Sequence, residues 1–496
     1  MSTLTEFDAP PSKATGHPRG LYVLFGSEMW ERFSYYGMRA LLVLYLTGKL
    51  NYSRKDALAL YGTYTGLVYL TPLLGGFLAD KLLGQRKAII IGGILMALGH
   101  FAMAFESLLF LALGLIILGN GFFKPNISTM VGGLYSPSDT RRDTAYTIFY
   151  MGINLGAGIS PLVCGYLGEQ INWHYGFGAA GIGMLIALFV FVRYQKDLVG
   201  GYPPGREEAG LTRLTVVDWV HIVLASAIGV GFVYSALRLW PLVQPYQSYL
   251  FYAMGAVALV AILNVIYHLA TVREKVAKEG WQGIAVILIV SIFSIVFWMG
   301  FEQSGGTLNL FAKEHTDRVV MGKEFPASFF QSVNPFLIVA LAGVMALLWS
   351  KLDATRFGLT SSAKMGLGLI FLGLGFVVMY QADKLAGPVG KVGPQWLASV
   401  FLLLTIGEIC LSPIGLSLVN RLAPARVTSL MMACWFLCTS IANYLAGTLE
   451  HTLEVYSKNN GVTINLWLFL IVTSIVPGVV LLALTVPLKK MAHGRL

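Results

Sequence analysis

The sequence predicts an all-α, polytopic membrane protein. Of its 496 residues, 56% are hydrophobic and only 12% charged, about half the ~25% charge content of an ordinary soluble domain. A mean hydropathy of +0.68 is spread along the chain and not concentrated in one anchor. Apolar stretches recur from end to end, each reaching the roughly 20 residues that a bilayer core requires of a helix. Hydrocarbon offers backbone groups no water to bond, so such stretches form helices.

In chain order, residues 1–20, with Pro10, Pro11, Ser12, Lys13 and Pro18, lack an apolar run and a cleavage site and read as a cytoplasmic tail, not a signal peptide. Six spans follow at 21–50, 56–83, 87–105, 107–133, 141–168 and 175–197, an N-terminal bundle over 21–197. The connection at 198–214 contains Gly200, Gly201, Pro203, Pro204, Gly205 and Gly210 and reads as a linker between halves. Two additional spans, 215–239 and 247–273, precede six more at 281–313, 326–352, 362–382, 395–421, 427–453 and 464–490. The last six make a C-terminal bundle over 274–490, with 491–496 as a second tail. Fourteen spans place both termini on one side. Nineteen Lys and Arg residues on that side's connections, among them Arg86, Lys87, Arg141 and Arg421, outnumber ten on the other, which makes it the cytoplasm.

The net charge of +10 is therefore a topology signal. Nucleic-acid binding would need basic residues gathered with aromatics on a water-facing surface; here the aromatics lie in the spans and the bases in short loops. Cys164, Cys410, Cys434 and Cys438 all fall in predicted helices without CxxC spacing and read as small packing residues. No metal or cofactor is expected.

Function is carried by polar groups at membrane depth. Glu28, Glu31, Arg32, Tyr35 and Arg39 fall within roughly a 100° arc of the first helix, with Tyr36 beside them. A buried charge costs about 2.5–3.5 kcal/mol on insertion scales, so such groups face a bundle interior or an aqueous path. The alternative is a set of ion pairs locking two helices together. Seven ionised residues, Glu28, Glu31, Arg32, Arg39, Lys124, Glu302 and Glu408, lie well inside spans. Four acids against three bases leave one negative charge, which a single proton removes. His100 in the third span is the one candidate histidine and reads as packing or bonding locally, so proton coupling is expected to run through carboxylates.

Other groups join these by spacing. Tyr150 and Asn154 share a helix face, as do Trp298 and Glu302, with Gly305-Gly306 following as a bend. Lys124-Pro125-Asn126, Asn334-Pro335, and Ser412-Pro413 with Gly415 are expected to interrupt the fourth, tenth and twelfth spans as gating elements. Trp435 sits among small residues. Both charge signs, amides, phenols and indoles together suit a zwitterion with a polar backbone and variable side chains. A sugar site would not need Arg, Lys and Glu at once. Gly158-Ile159-Ser160 is a loose match to a membrane serine protease, but Pro161 follows and no later histidine is placed to activate the serine.

Glu28-x-x-Glu31-Arg32-Phe33-Ser34-Tyr35-Tyr36-Gly37 resembles the ExxERFxYYG signature of the proton-coupled oligopeptide transporter (POT) family of the major facilitator superfamily. Phe149-Tyr150-Met151-Gly152-Ile153-Asn154-Leu155-Gly156 is similar to its FYxxINxG signature, and Phe123-Lys124-Pro125-Asn126 and Phe301-Glu302-Gln303 also match. The Gly75–Lys87 loop resembles the superfamily's GxxxD-(R/K)-xGRRK motif, with Gln85 where a base is frequent. A weaker echo stands at Asp353–Gly358. The additional pair of spans looks like the bacterial branch.

The resemblance implies a major facilitator fold of two six-helix bundles plus two helices, and import of di- and tripeptides with protons across a bacterial inner membrane, by a monomer. It assigns Arg32, Tyr36, Lys124, Asn154, Asn334, Glu408 and Trp435 to the peptide site, lined by Tyr35, Tyr69 and Trp298. Glu408 and Asn334 would hold the amino group, and Arg32 and Lys124 the carboxylate. Glu28, Glu31, Arg32, Arg39 and Glu302 would couple protons, with Arg39–Glu302 gating the outer side and Lys124–Glu408 the inner. Animal members carry a functional His after the tyrosine matching Tyr61, where Gly62 stands here. A carrier of the same fold for nitrate or another small organic anion is the nearest alternative; Glu408 argues against nitrate.

Overall fold

The computed structural model describes residues 16–136, 139, 141–202, 215–243, 278–355, 358–424 and 428–493. Thirteen of the fourteen expected spans are helical there; the eighth, 247–273, lies outside the described residues. The first is α1 (Arg19–Gly48); the second is α2 (Arg54–Leu70), continued by α3 (Pro72–Leu78) and a π-turn at Ala79–Leu83. Then come α4 (Gln85–Ala102), α5 (Leu109–Gly133), α6 (Arg141–Gly165), α7 (Trp173–Arg193) and α8 (Val216–Val243). The ninth span is broken into α9 (Lys278–Phe301), a 3-10 turn at Glu302–Ser304 and α10 (Thr307–Glu314). It is followed by α11 (Val333–Asp353), α12 (Ser361–Ala386), α13 (Gln395–Leu422), α14 (Thr428–Asn460), α15 (Leu466–Ala483) and α16 (Thr485–Met491). Among the described residues, ten helical segments are long and apolar enough to cross a membrane.

The all-α expectation needs one addition. After α10 the chain forms a two-stranded antiparallel ribbon, β1 (Val319–Val320) on β2 (Lys323–Glu324). Its two-residue turn puts Met321 and Gly322 at φ of 53° and 76°, the positive values that a tight hairpin turn requires.

The expected helix breaks are only partly realised. Helices α5 and α13 run through Pro125 and Pro413 without interruption. In α5 the Gly121 carbonyl, which Pro125 deprives of its helical N–H, lies against Gly75, where no Cβ intervenes. The Asn126 amide donates to the Phe122 carbonyl at 2.7 Å. The freed backbone is thus packed instead of opened. At Asn334-Pro335 a 3-10 turn, Ala327–Ser332, hands over to α11. Pro335 falls in the first turn, where N–H groups have no helical acceptor and proline costs no bond. The Gly75–Lys87 motif is likewise mostly helical, with the turn confined to Gly84 at φ 76°.

The chain divides into two compact units, residues 1–41 with 70–238, and 42–69 with 239–496. In the first, a Cβ on Gly92 would stand 2.5 Å from the Gly119 carbonyl oxygen, so α4 and α5 meet backbone to backbone. Arg86, at the start of α4, is buried and donates to the carbonyls of Gly200 at 2.7 Å and Leu198 at 2.8 Å. Lys87 pairs with Asp218 of α8 at 2.8 Å. In the short connection before α6, hydrogen bonds from Arg141 hold the Asp139 carboxyl down to about 2.

In the second unit α2 lies along α14. Ser440 Oγ donates to the Gly66 carbonyl at 2.7 Å, and Arg54 pairs with Glu450 at 2.7 Å and Glu314 at 2.9 Å. A Cβ on Gly62 would stand 2.7 Å from Gly447 Cα and 2.9 Å from the Asn443 carbonyl oxygen. Burying Leu gains little in lipid, so close small-residue seams and interhelical bonds hold such helices together. No larger side chain, histidine included, fits at Gly62 while α14 lies there. Gly62→Val should therefore lower the unfolding temperature in detergent, an overpacking cost of about 1–3 kcal/mol. Gly133→Ala, with nothing within 4 Å of the added carbon, should leave it unchanged.

Candidate functional site

In the first unit, the buried stripe of α1 meets α5. Glu28 and Glu31 are fully buried. The Arg32 guanidinium grips Glu31 with two parallel N–H groups, one at 2.5 Å, and its Nε lies 3.4 Å from Glu28. Lys124 of α5 donates to the same Glu28 oxygen. Two carboxylates and two cations thus neutralise one another, the condition for holding charge away from water. The other Glu28 oxygen, Oε2, is buried without a hydrogen-bond partner among the described residues. Aromatic faces complete the set. Arg32 lies 5.1 Å from the Tyr35 ring and 5.9 Å from Tyr36, Arg39 lies 5.7 Å from Tyr36, and Lys124 lies 6.0 Å from Phe149.

Sequence reasoning missed one member. Asn120, one turn before Lys124 on the same face of α5, donates to Glu31 at 3.5 Å and is buried. The signal was present in the four-residue spacing. On α6, Asn154 is buried, and its amide donates to the Tyr150 carbonyl at 3.0 Å while Tyr150 remains half-exposed. His100 is fully buried and neither ring nitrogen has a hydrogen-bond partner among the described residues, so the expected local bond is not made.

In the second unit, α13 and α11 bring Glu408 and Asn334 together. Asn334 Nδ2 donates to Glu408 Oε2 at 2.8 Å and to Thr405 Oγ1 at 3.0 Å. Thr405 also escaped the sequence reading, although it precedes Glu408 by one turn. The buried Trp435 indole fills the space that the missing Cβ of Gly415 leaves on α13. Glu302 is buried in the 3-10 turn that breaks the ninth span. One turn earlier, Trp298 packs edge-on against Phe301 with ring centroids 5.3 Å apart. Gln303 donates to the Ala446 carbonyl of α14 at 3.1 Å and accepts from Thr307 at 2.8 Å, fixing the break in place. Tyr69, at the end of α2, is half-buried.

Each expected gating pair draws one residue from each unit. Arg39 and Lys124 belong to the first, Glu302 and Glu408 to the second. Lys124, expected to reach for Glu408, is engaged by Glu28.

A family model described as the POT family matches residues 86–466. The chain is 36% identical to the peptide transporter YePEPT of Yersinia enterocolitica, over 97% of this chain and 96% of that one. It is 34% identical to a di-/tripeptide transporter of Lactococcus lactis, over 96% and 97%. Among solved structures, a peptide transporter POT in complex with sulfate aligns with a TM-score of 0.81 at 34% identity, covering 97% of each chain. A POT family transporter in complex with 5-aminolevulinic acid aligns at 0.79 and 29%, covering 97% and 99%.

The Glu28–Lys124 contact predicts energetic coupling. Glu28→Gln and Lys124→Met should each destabilise the protein, and the double variant should lose less than the sum. The coupling should be about 0.5–3 kcal/mol, as for residues in contact, read from denaturant unfolding of the four proteins.

Proposed function

The chain belongs to the POT family, and from that premise we propose that it is a proton-coupled symporter importing di- and tripeptides by alternating access. The observation that carries the reading is how the seven charges inside the spans divide. Of these, the first unit holds Glu28, Glu31, Arg32, Arg39 and Lys124, a balance of +1; the second holds Glu302 and Glu408, a balance of −2. A zwitterionic peptide offers its carboxylate to the first set and its ammonium to the second. One carboxylate is then left uncompensated, and one proton neutralises it. Substrate and proton together satisfy a charge arrangement that neither satisfies alone.

In this reading Arg32 and Lys124 take the peptide carboxylate, and Glu408 with Asn334 takes the ammonium. Tyr35, Tyr36, Tyr69, Asn154, Trp298 and Trp435 supply phenol, amide and indole surfaces for the backbone and variable side chains. Glu302 and Arg39 form the proton-sensitive pair, with Glu28 and Glu31 tuning the charge on Arg32. The Glu302–Gly306 break gives that carboxylate a place where the helix can bend. The excess of basic residues on one set of connections supports a cytoplasmic position for both termini; the reading assigns the protein to a bacterial inner membrane, with the monomer as the transporting unit. The six-helix bundles are assigned to 21–197 and 274–490.

Uptake of labelled dialanine into proteoliposomes tests the reading, with accumulation expected only under an inward proton gradient. Glu408→Gln should lose most uptake while still folding, because truncating one member of a desolvated charge pair costs about 2–5 kcal/mol. N-acetyl dialanine should bind the wild type weakly; equal binding of acetylated and free peptides would sink the assignment of Glu408.

A second measurement separates binding from coupling. Glu302→Gln fixes the neutral form of that side chain. Gradient-driven accumulation should collapse, while exchange of internal for external peptide, which needs no net proton movement, should survive. Loss of exchange in a folded variant would put Glu302 in the binding site instead.

A further inference from the structure

We infer that Thr405 is a positioning residue for the ammonium end of the substrate, fixing the Asn334 amide so that its oxygen remains the acceptor offered beside Glu408. The inference rests on the proposed assignment of Glu408 to the peptide ammonium.

Thr405 is fully buried on α13, one turn before Glu408 and on the same helix face. A threonine hydroxyl has one proton to give and two lone pairs to accept with. That proton goes to the Phe401 carbonyl at 2.6 Å. Toward Asn334 the hydroxyl is therefore an acceptor only. The Glu408 carboxylate is also an acceptor.

The Asn334 side chain meets both, Thr405 Oγ1 at 3.0 Å and Glu408 Oε2 at 2.8 Å. An amide nitrogen with two hydrogens satisfies two acceptors at once. The amide oxygen in the same place would set lone pair against lone pair twice. The orientation is thus decided by chemistry. It commits both N–H groups and leaves Oδ1 without a hydrogen bond among the described residues. An ammonium carries three donors and no acceptor, so beside Glu408 it needs a further acceptor, and Oδ1 is one.

Glu408 alone could not keep this arrangement through a transport cycle. Its hold on the amide depends on its negative charge, which an arriving ammonium offsets. The bond to the uncharged Thr405 hydroxyl does not change with that charge. Thr405 therefore holds the amide while the ligand engages the carboxylate, when a turned amide would point N–H groups at the ammonium.

The test compares two ligands on the full-length protein in detergent: dialanine, and propionyl-alanine, which has the same shape without the amine. Wild type, Thr405→Val, which keeps the shape without the hydroxyl, and Thr405→Ser, which restores it, are titrated by calorimetry, with unfolding temperature as the folding check. Thr405→Val should bind dialanine about tenfold more weakly, the scale of one hydrogen bond involving a charged group, and propionyl-alanine as the wild type does. Thr405→Ser should stay within about twofold of wild type for dialanine, since its hydroxyl supplies the same acceptor. If Thr405→Val does not fold, Thr405→Ala carries the same expectation. Equal weakening of both ligands would make the effect one of packing and overturn the inference. Unchanged dialanine affinity, or no rescue by serine, would overturn it as well. A wild type that binds both ligands alike would overturn the assignment of Glu408, and the role of Thr405 with it.

Discussion

The cost of holding charge away from water is the constraint on which the rest of this molecule depends. A carboxylate in a low-dielectric interior persists only when cations and hydrogen-bond donors meet it at close range. Glu28 and Glu31 satisfy that rule with Arg32, Lys124 and Asn120, drawn from two helices. The α1–α5 arrangement in the first unit follows from it, because in the cluster α1 contributes Glu28, Glu31 and Arg32, a balance of −1, and α5 contributes the cation Lys124. Glu408, in the second unit, likewise meets a hydrogen-bond donor from another helix, the Asn334 amide of α11.

The backbone that holds these groups is assembled by close approach more than by burial of large side chains. Gly92 with Gly119, Gly366 with Gly478 and Gly368 with Gly407 bring helices together where a Cβ would strike a carbonyl. Such seams leave little room for adjustment within a helix pair. Among the described residues, the ladder is altered within or at the end of long helical segments at the π-turns Ala79–Leu83 and Tyr166–Ile171, the 3-10 turn before α11, and the Glu302–Gly306 break. Only the last carries a buried carboxylate. Helices α5 and α13 both continue through a proline, and at Pro125 the freed Gly121 carbonyl is covered by the close approach of Gly75.

Much of the site was legible in the chain because helical periodicity turns spacing into adjacency. Glu28, Glu31 and Arg32 had to share a face, and the structure joins them. The breaks in α5 and α13 were misread because proline reports a missing bond and says nothing about what packs there. Asn120 and Thr405 escaped for a different reason. Each is uncharged, so hydropathy does not mark it, and its role comes from a partner on another helix. Their spacing from Lys124 and Glu408 was visible, but nothing local says that a buried amide or hydroxyl points at a carboxylate.

The sequence by itself determined the class of the protein, the recurrence of apolar helical stretches, the connections on which basic residues gather and the surplus of acid among the seven charges inside those stretches. These are properties of composition and of a fixed helical period, and they need no neighbour to be read. Only the tertiary structure decided how the charges are shared. It engaged Lys124 with Glu28, placed Asn334 and Thr405 around Glu408, and laid α2 against α14 through Gly62 and Gly447. Partner choice among buried charges depends on distances of a few ångströms between helices remote in sequence, and Coulomb energy and desolvation at that range are set by packing. No periodicity within one helix encodes it.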